Sequence, residues 1–126
     1  MLSPIPSVML KDVATFHVPV SLNDYQMPVY QDYMVKKVHI QNSNEVRRTS
    51  TNEEVVLKAI LFVDGKKSAP IYDYMSFMKM AEAVGADMTV TVTESNGNEN
   101  EYTVTIVDAV PDVPAIRTHH TEIGLI

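Results

Sequence analysis

The stretch from position 87 to 108, DMTVTVTESNGNENEYTVTIVD, decides the fold class. Met88, Val90 and Val92 alternate with Thr89, Thr91 and Thr93; Tyr102, Val104 and Ile106 alternate with Thr103, Thr105 and Val107. A two-residue period of this kind belongs to a strand with one buried face. Ser95-Asn96-Gly97-Asn98 separates the two runs, and Gly97 can take a positive φ. The pair reads as a β-hairpin. Burial of one face sets Val92 against Tyr102, Val90 against Val104 and Met88 against Ile106, with Thr91 meeting Thr103 and Thr89 meeting Thr105. A one-residue slip would put Val92 opposite Glu101 and mix the faces. The expected register leaves Asn96-Gly97-Asn98 as a three-residue loop, with a two-residue Asn-Gly turn as the local competitor.

The flanking segments extend the same pattern. Residues 12–20 place Ala14, Phe16, Val18 and Val20 on one face, and Pro19 ends this strand or marks an edge. Residues 21–32 read as a loop, with turn chemistry at Asn23-Asp24 and Pro28. Residues 33–41 give a second strand whose alternation Lys36 and Lys37 interrupt. Residues 54–64 are nearly continuously apolar. Thr51 with Glu54 could cap a helix there, but β-branched density and the Asp64-Gly65 turn favour a strand buried on both faces. Residues 74–84 suit a short helix between Asp73 and Gly85, with Met75, Met78, Ala81 and Val84 at helical spacing. Residues 117–126 form a last strand with His119, Thr121, Ile123 and Leu125 on one face. About six strands with one short helix near 74–84 indicate an all-β domain spanning 1–126, either a small six-stranded β-barrel (SH3-like) or a sandwich. Residues 1–11, with Pro4 and Pro6, form an irregular N-terminal arm: a floppy terminus, or a segment that orders on a neighbouring subunit.

Composition narrows the chemistry. The chain has 126 residues, no cysteine, no tryptophan and a formal charge of -6. Zero cysteine excludes a disulfide framework, a Cys-ligated zinc site and a thiol nucleophile. Ten Lys+Arg against sixteen Asp+Glu argues against a basic nucleic-acid face, though not against a protein that surrounds DNA without gripping it. The N-terminus is a poor signal peptide, and no apolar run reaches membrane-spanning length, which fits a protein used without secretion. No P-loop, G-x-G-x-x-G, G-x-S-x-G or H-E-x-x-H occurs, so no enzyme class is indicated and no cofactor is expected. His119 and His120 are adjacent and point to opposite faces of a strand, so they do not share one metal. His39 and His119 could meet across strands, but no carboxylate spacing supports a metal site.

One segment stands out as a loop too long and too polar to bury itself: Asn42-Ser43-Asn44-Glu45-Val46-Arg47-Arg48-Thr49-Ser50-Thr51-Asn52-Glu53. Loops of this length in small domains are functional or disordered. Arg47-Arg48 between Glu45 and Glu53-Glu54 reads first as a solvated polar loop, second as a binding loop. The Met-rich stripe of the helix reads as core packing or as an adaptable contact surface for a partner. Met75 and Met78, with His119, His120 and Glu122, are the candidate interface residues.

Four short motifs resemble a known family. They are Pro4-Ile5-Pro6 before the first strand, Val38-His39-Ile40-Gln41 leading into the polar loop, Ala59-Ile60-Leu61-Phe62-Val63-Asp64, and His119-His120-Thr121-Glu122-Ile123-Gly124-Leu125-Ile126. The chain resembles the minor capsid proteins of tailed phages of Gram-positive bacteria, which are similar to head-completion, or stopper, proteins of the head-to-tail connector. Thr121 stands where that family usually has an aromatic residue, Gly124 where it usually has Glu, and the Met-rich helix looks like an insertion. The resemblance implies a β-barrel assembled as a homo-oligomeric ring in the virion neck, put together in the host cytoplasm. Its implied partners are portal and adaptor proteins on one side and tail terminator or tail tube proteins on the other. Packaged double-stranded DNA would occupy the channel without sequence-specific binding. In similar stoppers a loop between two barrel strands projects into the channel; by position, residues 42–53 are that loop. Other neck or tail ring subunits (adaptor or tail terminator), and a monomeric β-barrel binding module, are the alternative readings.

Overall fold

The computed structural model describes residues 10–48, 52–65, 67–70, 72–111 and 118–126. Six antiparallel strands form a sheet that closes on itself: β1 (Asp12–Leu22), β2 (Pro28–Asn42), β5 (Ala59–Asp64), β8 (Thr118–Leu125), β7 (Glu99–Pro111) and β6 (Thr89–Thr93), in that spatial order, with β6 pairing back onto β1. Two short strands, β3 (Val46–Arg48) and β4 (Glu54–Val56), make a separate two-stranded sheet. One helix, α1 (Tyr74–Val84), packs on β1 and touches β7. The expected all-β fold with one short helix is the observed one.

The core follows from the two-residue period. Ala14, Phe16 and Val18 of β1, Leu61 of β5, Val90 and Val92 of β6, and Ile123 and Leu125 of β8 all point inward and are buried. β5 is buried along nearly its whole length, as its continuous apolar run requires; it is a strand, and β4 is split from it by Leu57-Lys58. Closure depends on the two long strands. β7 pairs with β6 through Glu99–Thr103 and with β8 through Val104–Pro111, so one strand turns a corner of the barrel, helped by a bulge between Val104 and Ile106. β2 likewise carries an extra residue at Lys37, whose φ is 60°. That bulge sends both Lys36 and Lys37 outward and returns Val35 and Val38 to the core. The broken alternation in the sequence is therefore a bulge within a strand.

Three sequence expectations need correction. The register of the 87–108 hairpin is displaced by two residues: Val90 faces Tyr102, Thr91 faces Glu101, Val92 faces Asn100 and Thr89 faces Thr103. The loop is Ser95-Asn96-Gly97, closed by Glu94 N–H donating to Asn98 O (2.8 Å) and Gly97 N–H donating to Glu94 O (2.9 Å). Gly97 has φ 91° and occupies the third, left-handed position that a three-residue loop requires. Burial forbids odd slips but is indifferent to even ones, so the glycine sets the register.

Residues 21–32 are not a loop but the far end of a long β1–β2 ribbon, with Leu22 opposite Pro28 and Ser21 opposite Val29. Its turn repeats the other one: Asn23 N–H donates to Met27 O, Gln26 N–H donates to Asn23 O, and Gln26 takes the left-handed position at φ 61°. Asn23 Oδ1 also accepts from the N–H of Tyr25 and of Met27. Pro19 is fully buried within β1 but lies beyond the stretch paired to β6, which ends at His17, so its missing N–H breaks no ladder bond to β6.

The helix runs over the expected residues. Asp73 caps it by accepting from Ser76 N–H, and Gly85 ends it at φ 80°. Its buried face is Tyr74, Phe77 and Ala81, whereas Met75 is exposed and Met78 is only partly buried. The aromatic residues decide this. Phe16 lies 5.1 Å from Tyr74 between ring centroids, and Tyr33 stacks on Phe77 at 4.6 Å.

Candidate functional site

The polar segment 42–53 is half hairpin. Val46, Arg47 and Arg48 pair with Val56, Val55 and Glu54 to make a short ribbon standing off the barrel. Its base is fixed on both sides: Ser43 N–H donates to Lys58 O (2.8 Å) and Leu57 N–H donates to Glu45 O (2.9 Å). Leu57 is fully buried and packs against Gly124, on the face of β8 opposite the inward Ile123 and Leu125. A Cβ at position 124 would lie 3.0 and 3.1 Å from the two Leu57 methyl carbons and 3.3 Å from Ile106 Cβ. The glycine thus makes room for the side chain that seats the hairpin.

The hairpin's arginines are occupied. Arg47 Nε donates to Glu45 Oε1 at 3.0 Å, and Arg47 Nη2 donates to Glu122 Oε1 on β8 at 3.3 Å. The Arg47 and Glu122 side chains are only 24% and 21% exposed, so the β3–β4 ribbon is clamped to the barrel wall by a sheltered ion pair. The hydrogen bond to Glu45, opposed by partial burial and helped by Glu122, holds the Arg47 guanidinium protonated beyond its ordinary range. Arg48 donates to Glu54 Oε1 (3.1 Å) and to Asn52 Oδ1 (3.2 Å).

The clamp continues across the wall. His120 Nε2 lies 3.1 Å from Glu122 Oε2, and Phe62 of β5 sits between the rings of His39 (6.0 Å) and His120 (6.1 Å). Two groups nominated separately in the sequence, Arg47 from the loop and His120 with Glu122 from the last strand, meet here. β5 stands between β2 and β8, so these two histidine-bearing strands are not neighbours. Among the other nominated residues, Asn42 closes β2 opposite Ala59, Ser43 Oγ accepts from Glu45 N–H, Asn44 and Glu53 are exposed, and Val46 stands 57% exposed beside Val56. Thr49, Ser50 and Thr51 lie outside the described residues, as does the side chain of His119. Met75 lines a cleft of about 410 Å³ with Tyr72, Asp73, Tyr74, Val107, Ala109 and Thr121, and Met78 lines a smaller one of about 230 Å³; neither meets the clamp.

One constellation escaped the sequence reading. His17 Nδ1 lies 2.6 Å from Asp32 Oδ1, and its Nε2 lies 2.9 Å from Thr91 Oγ1. The ring bridges the Asp32 carboxylate and the Thr91 hydroxyl. The order hydroxyl, imidazole, carboxylate is that of an activated nucleophile. It lies on the outer wall of the barrel, however, outside the lining of both clefts, and it ties β1 to β2 and β6. Strand alternation puts His17 on the face opposite Phe16, but Asp32 falls in the 21–32 segment that reads as a loop. Among the described residues no group of three metal-capable side chains gathers, and no helix is long and apolar enough to cross a membrane.

No curated protein and no solved structure matches the chain. The sequence profile of the minor capsid proteins does match, over residues 6–123, nearly the whole length. The chain belongs to the minor capsid protein family and is a structural component of a phage virion.

Proposed function

We propose that this minor capsid protein is a head-completion, or stopper, subunit of the head-to-tail connector. It forms a homo-oligomeric ring in the virion neck, closes the DNA channel after packaging and offers the surface on which the tail docks. The β3–β4 hairpin is the element that reaches toward the channel, and portal or adaptor proteins and tail proteins are the partners above and below.

The pairing state of the hairpin is the observation that carries this reading. A part that lines a DNA channel must touch the duplex without holding it. Duplex DNA carries one negative charge per ~1.7 Å, and each free Lys or Arg adds a phosphate contact. Here Arg47 and Arg48 are bound to Glu45, Glu122 and Glu54, and the outward face carries the apolar Val46 and Val56 beside the mutually paired Arg48 and Glu54. The net charge of -6 acts in the same direction.

Shortening residues 42–53 in the phage, with Leu57 kept, tests the role. The variant chain is expected to fold and enter particles that lose their packaged DNA. Particles that retain DNA with the shortened hairpin would refute the gate. A chain that stays monomeric, alone and with portal complexes, would refute the ring.

A further inference from the structure

The longest unpaired strand edge among the described residues is that of β2. β1 covers one side of β2 from Pro28 to Val38, whereas β5 covers the other only from Val38 to Asn42. Lys36 spends its N–H and C=O on Ala69, on the side away from β1. By the two-residue period, the same side carries the N–H and C=O of Met34, Asp32 and Tyr30. No described strand pairs with them. The ribbon that ends in this edge is also the most apolar exposed surface described: Tyr25 is 86% exposed and Met27 59%, with Leu22, Val29, Tyr30 and Met34 beside them. An open apolar edge is a template for a further strand.

We propose that this edge receives residues 1–9 of a second copy of the chain as an added strand. Residues 1–9 lie outside the described residues, and the argument for them is chemical. Ser3, Ile5 and Ser7 offer three successive backbone N–H and C=O groups along one side, matching Tyr30, Asp32 and Met34 in number and spacing. Pro4 and Pro6 fall on the opposite side, where a strand has no partner to donate to. Two prolines in alternate positions therefore suit a strand that pairs along one side and blocks further addition along the other. The segment has no charged side chain, and the single carboxylate along the edge, Asp32, is already held by His17.

The route favours a neighbour. Leu10 is buried and Asp12 pairs with Val38, so the arm leaves at the opposite end of β2 from Tyr30. To reach its own edge it would have to pass β5 and the Lys36–Ala69 bridge. A contact in which one copy's arm meets another's β2 is heterologous, and such contacts close into rings or extend into filaments. The proposal deepens the ring reading and rests on it.

The test uses the full chain and hydrogen exchange at the amides of Tyr30, Asp32 and Met34. At concentrations where the chain sediments as an oligomer, these amides should exchange about tenfold or more slowly than in the dilute monomer. Ile5→Pro removes a pairing N–H outside the barrel and should abolish both the protection and the concentration dependence, whereas Pro4→Ala should leave them in place. Oligomers that form with the three amides unprotected, or protection that survives Ile5→Pro, overturn the arm proposal while leaving the ring intact; the second outcome would mean that the edge pairs with another strand. A chain that is monomeric at every concentration, alone and with portal complexes, overturns both.

Discussion

The contact between Gly124 and Leu57 gives a quantitative test of how the hairpin is seated. In Gly124→Ala the new methyl would arrive 3.0–3.1 Å from the Leu57 methyl carbons and 3.3 Å from Ile106 Cβ, closer than carbon atoms pack. Leu57 is fully buried and cannot swing into solvent. Overpacking of this kind costs about 1–3 kcal/mol. The lost backbone freedom of the unfolded chain offsets about 0.4–1 kcal/mol of it, since φ at Gly124 is not in the left-handed region. The net expectation is a loss of about 1–2 kcal/mol. With about 2.1 cal/mol/K of unfolding entropy per residue, 1 kcal/mol is worth about 4 °C in a chain of this length, so Tm should fall by about 4–8 °C. Leu57→Ala alone should cost about 2–5 kcal/mol by leaving a cavity. The double variant is decisive, because alanine at 124 then grows into the vacated space. Urea unfolding of the four proteins should give a double-variant cost at least about 0.5 kcal/mol below the sum of the single costs. Strict additivity, or a Gly124→Ala chain that melts above the wild type, would refute the packing argument.

Other consequences are simpler to measure. The Tyr74 phenol hydroxyl is buried with no hydrogen-bond partner among the described residues, so Tyr74→Phe should raise stability by about 1 kcal/mol or more in urea unfolding. Burial, with a smaller push from Tyr72, also holds that phenol protonated above its ordinary pKa of 10.0. Its contribution is thus fully present below pH ~10 and is lost as the unfolded chain ionises above that pH; stability should fall more steeply there in the wild type than in Tyr74→Phe. Gln26→Gly should stabilise by about 0.5 kcal/mol, because a glycine enters the left-handed position of the ribbon turn without strain, and a thermal melt shows it. Asp12 is buried and accepts from Ile40 N–H (3.0 Å) and Ser95 N–H (3.1 Å). Asp12→Ala should cost about 2–3 kcal/mol in the same unfolding assay, since it strands two donors at once.

What could be read in the sequence divides along physical lines. The helix was legible to the residue because its two ends carry their own chemistry, a carboxylate at Asp73 and a glycine at Gly85. Its inward face was not, because the Met75 and Tyr74 stripes lie one residue apart, and only contact with Phe16 and Tyr33 chooses between them. Alternation fixed the faces of the 87–108 hairpin, while the register belonged to the conformational demand of Gly97. The β1–β2 ribbon escaped because much of it is exposed on both faces and so shows no alternation. The Arg47–Glu122 clamp joins positions far apart in the chain, and no local pattern encodes such a pairing.

The self-paired arginines bear on how the hairpin would respond to salt. A basic face binds a polyanion by shedding condensed counterions, which makes its affinity fall steeply with ionic strength. An arginine already holding a glutamate has a different exchange to make. A phosphate arriving at Arg47 must displace Glu45 or Glu122, and the displaced carboxylate then faces the same polyanion. The swap releases almost no net charge into solution. Contact between this hairpin and a nucleic acid should therefore be weak and nearly indifferent to ionic strength, a behaviour closer to that of a bearing surface than of a clamp.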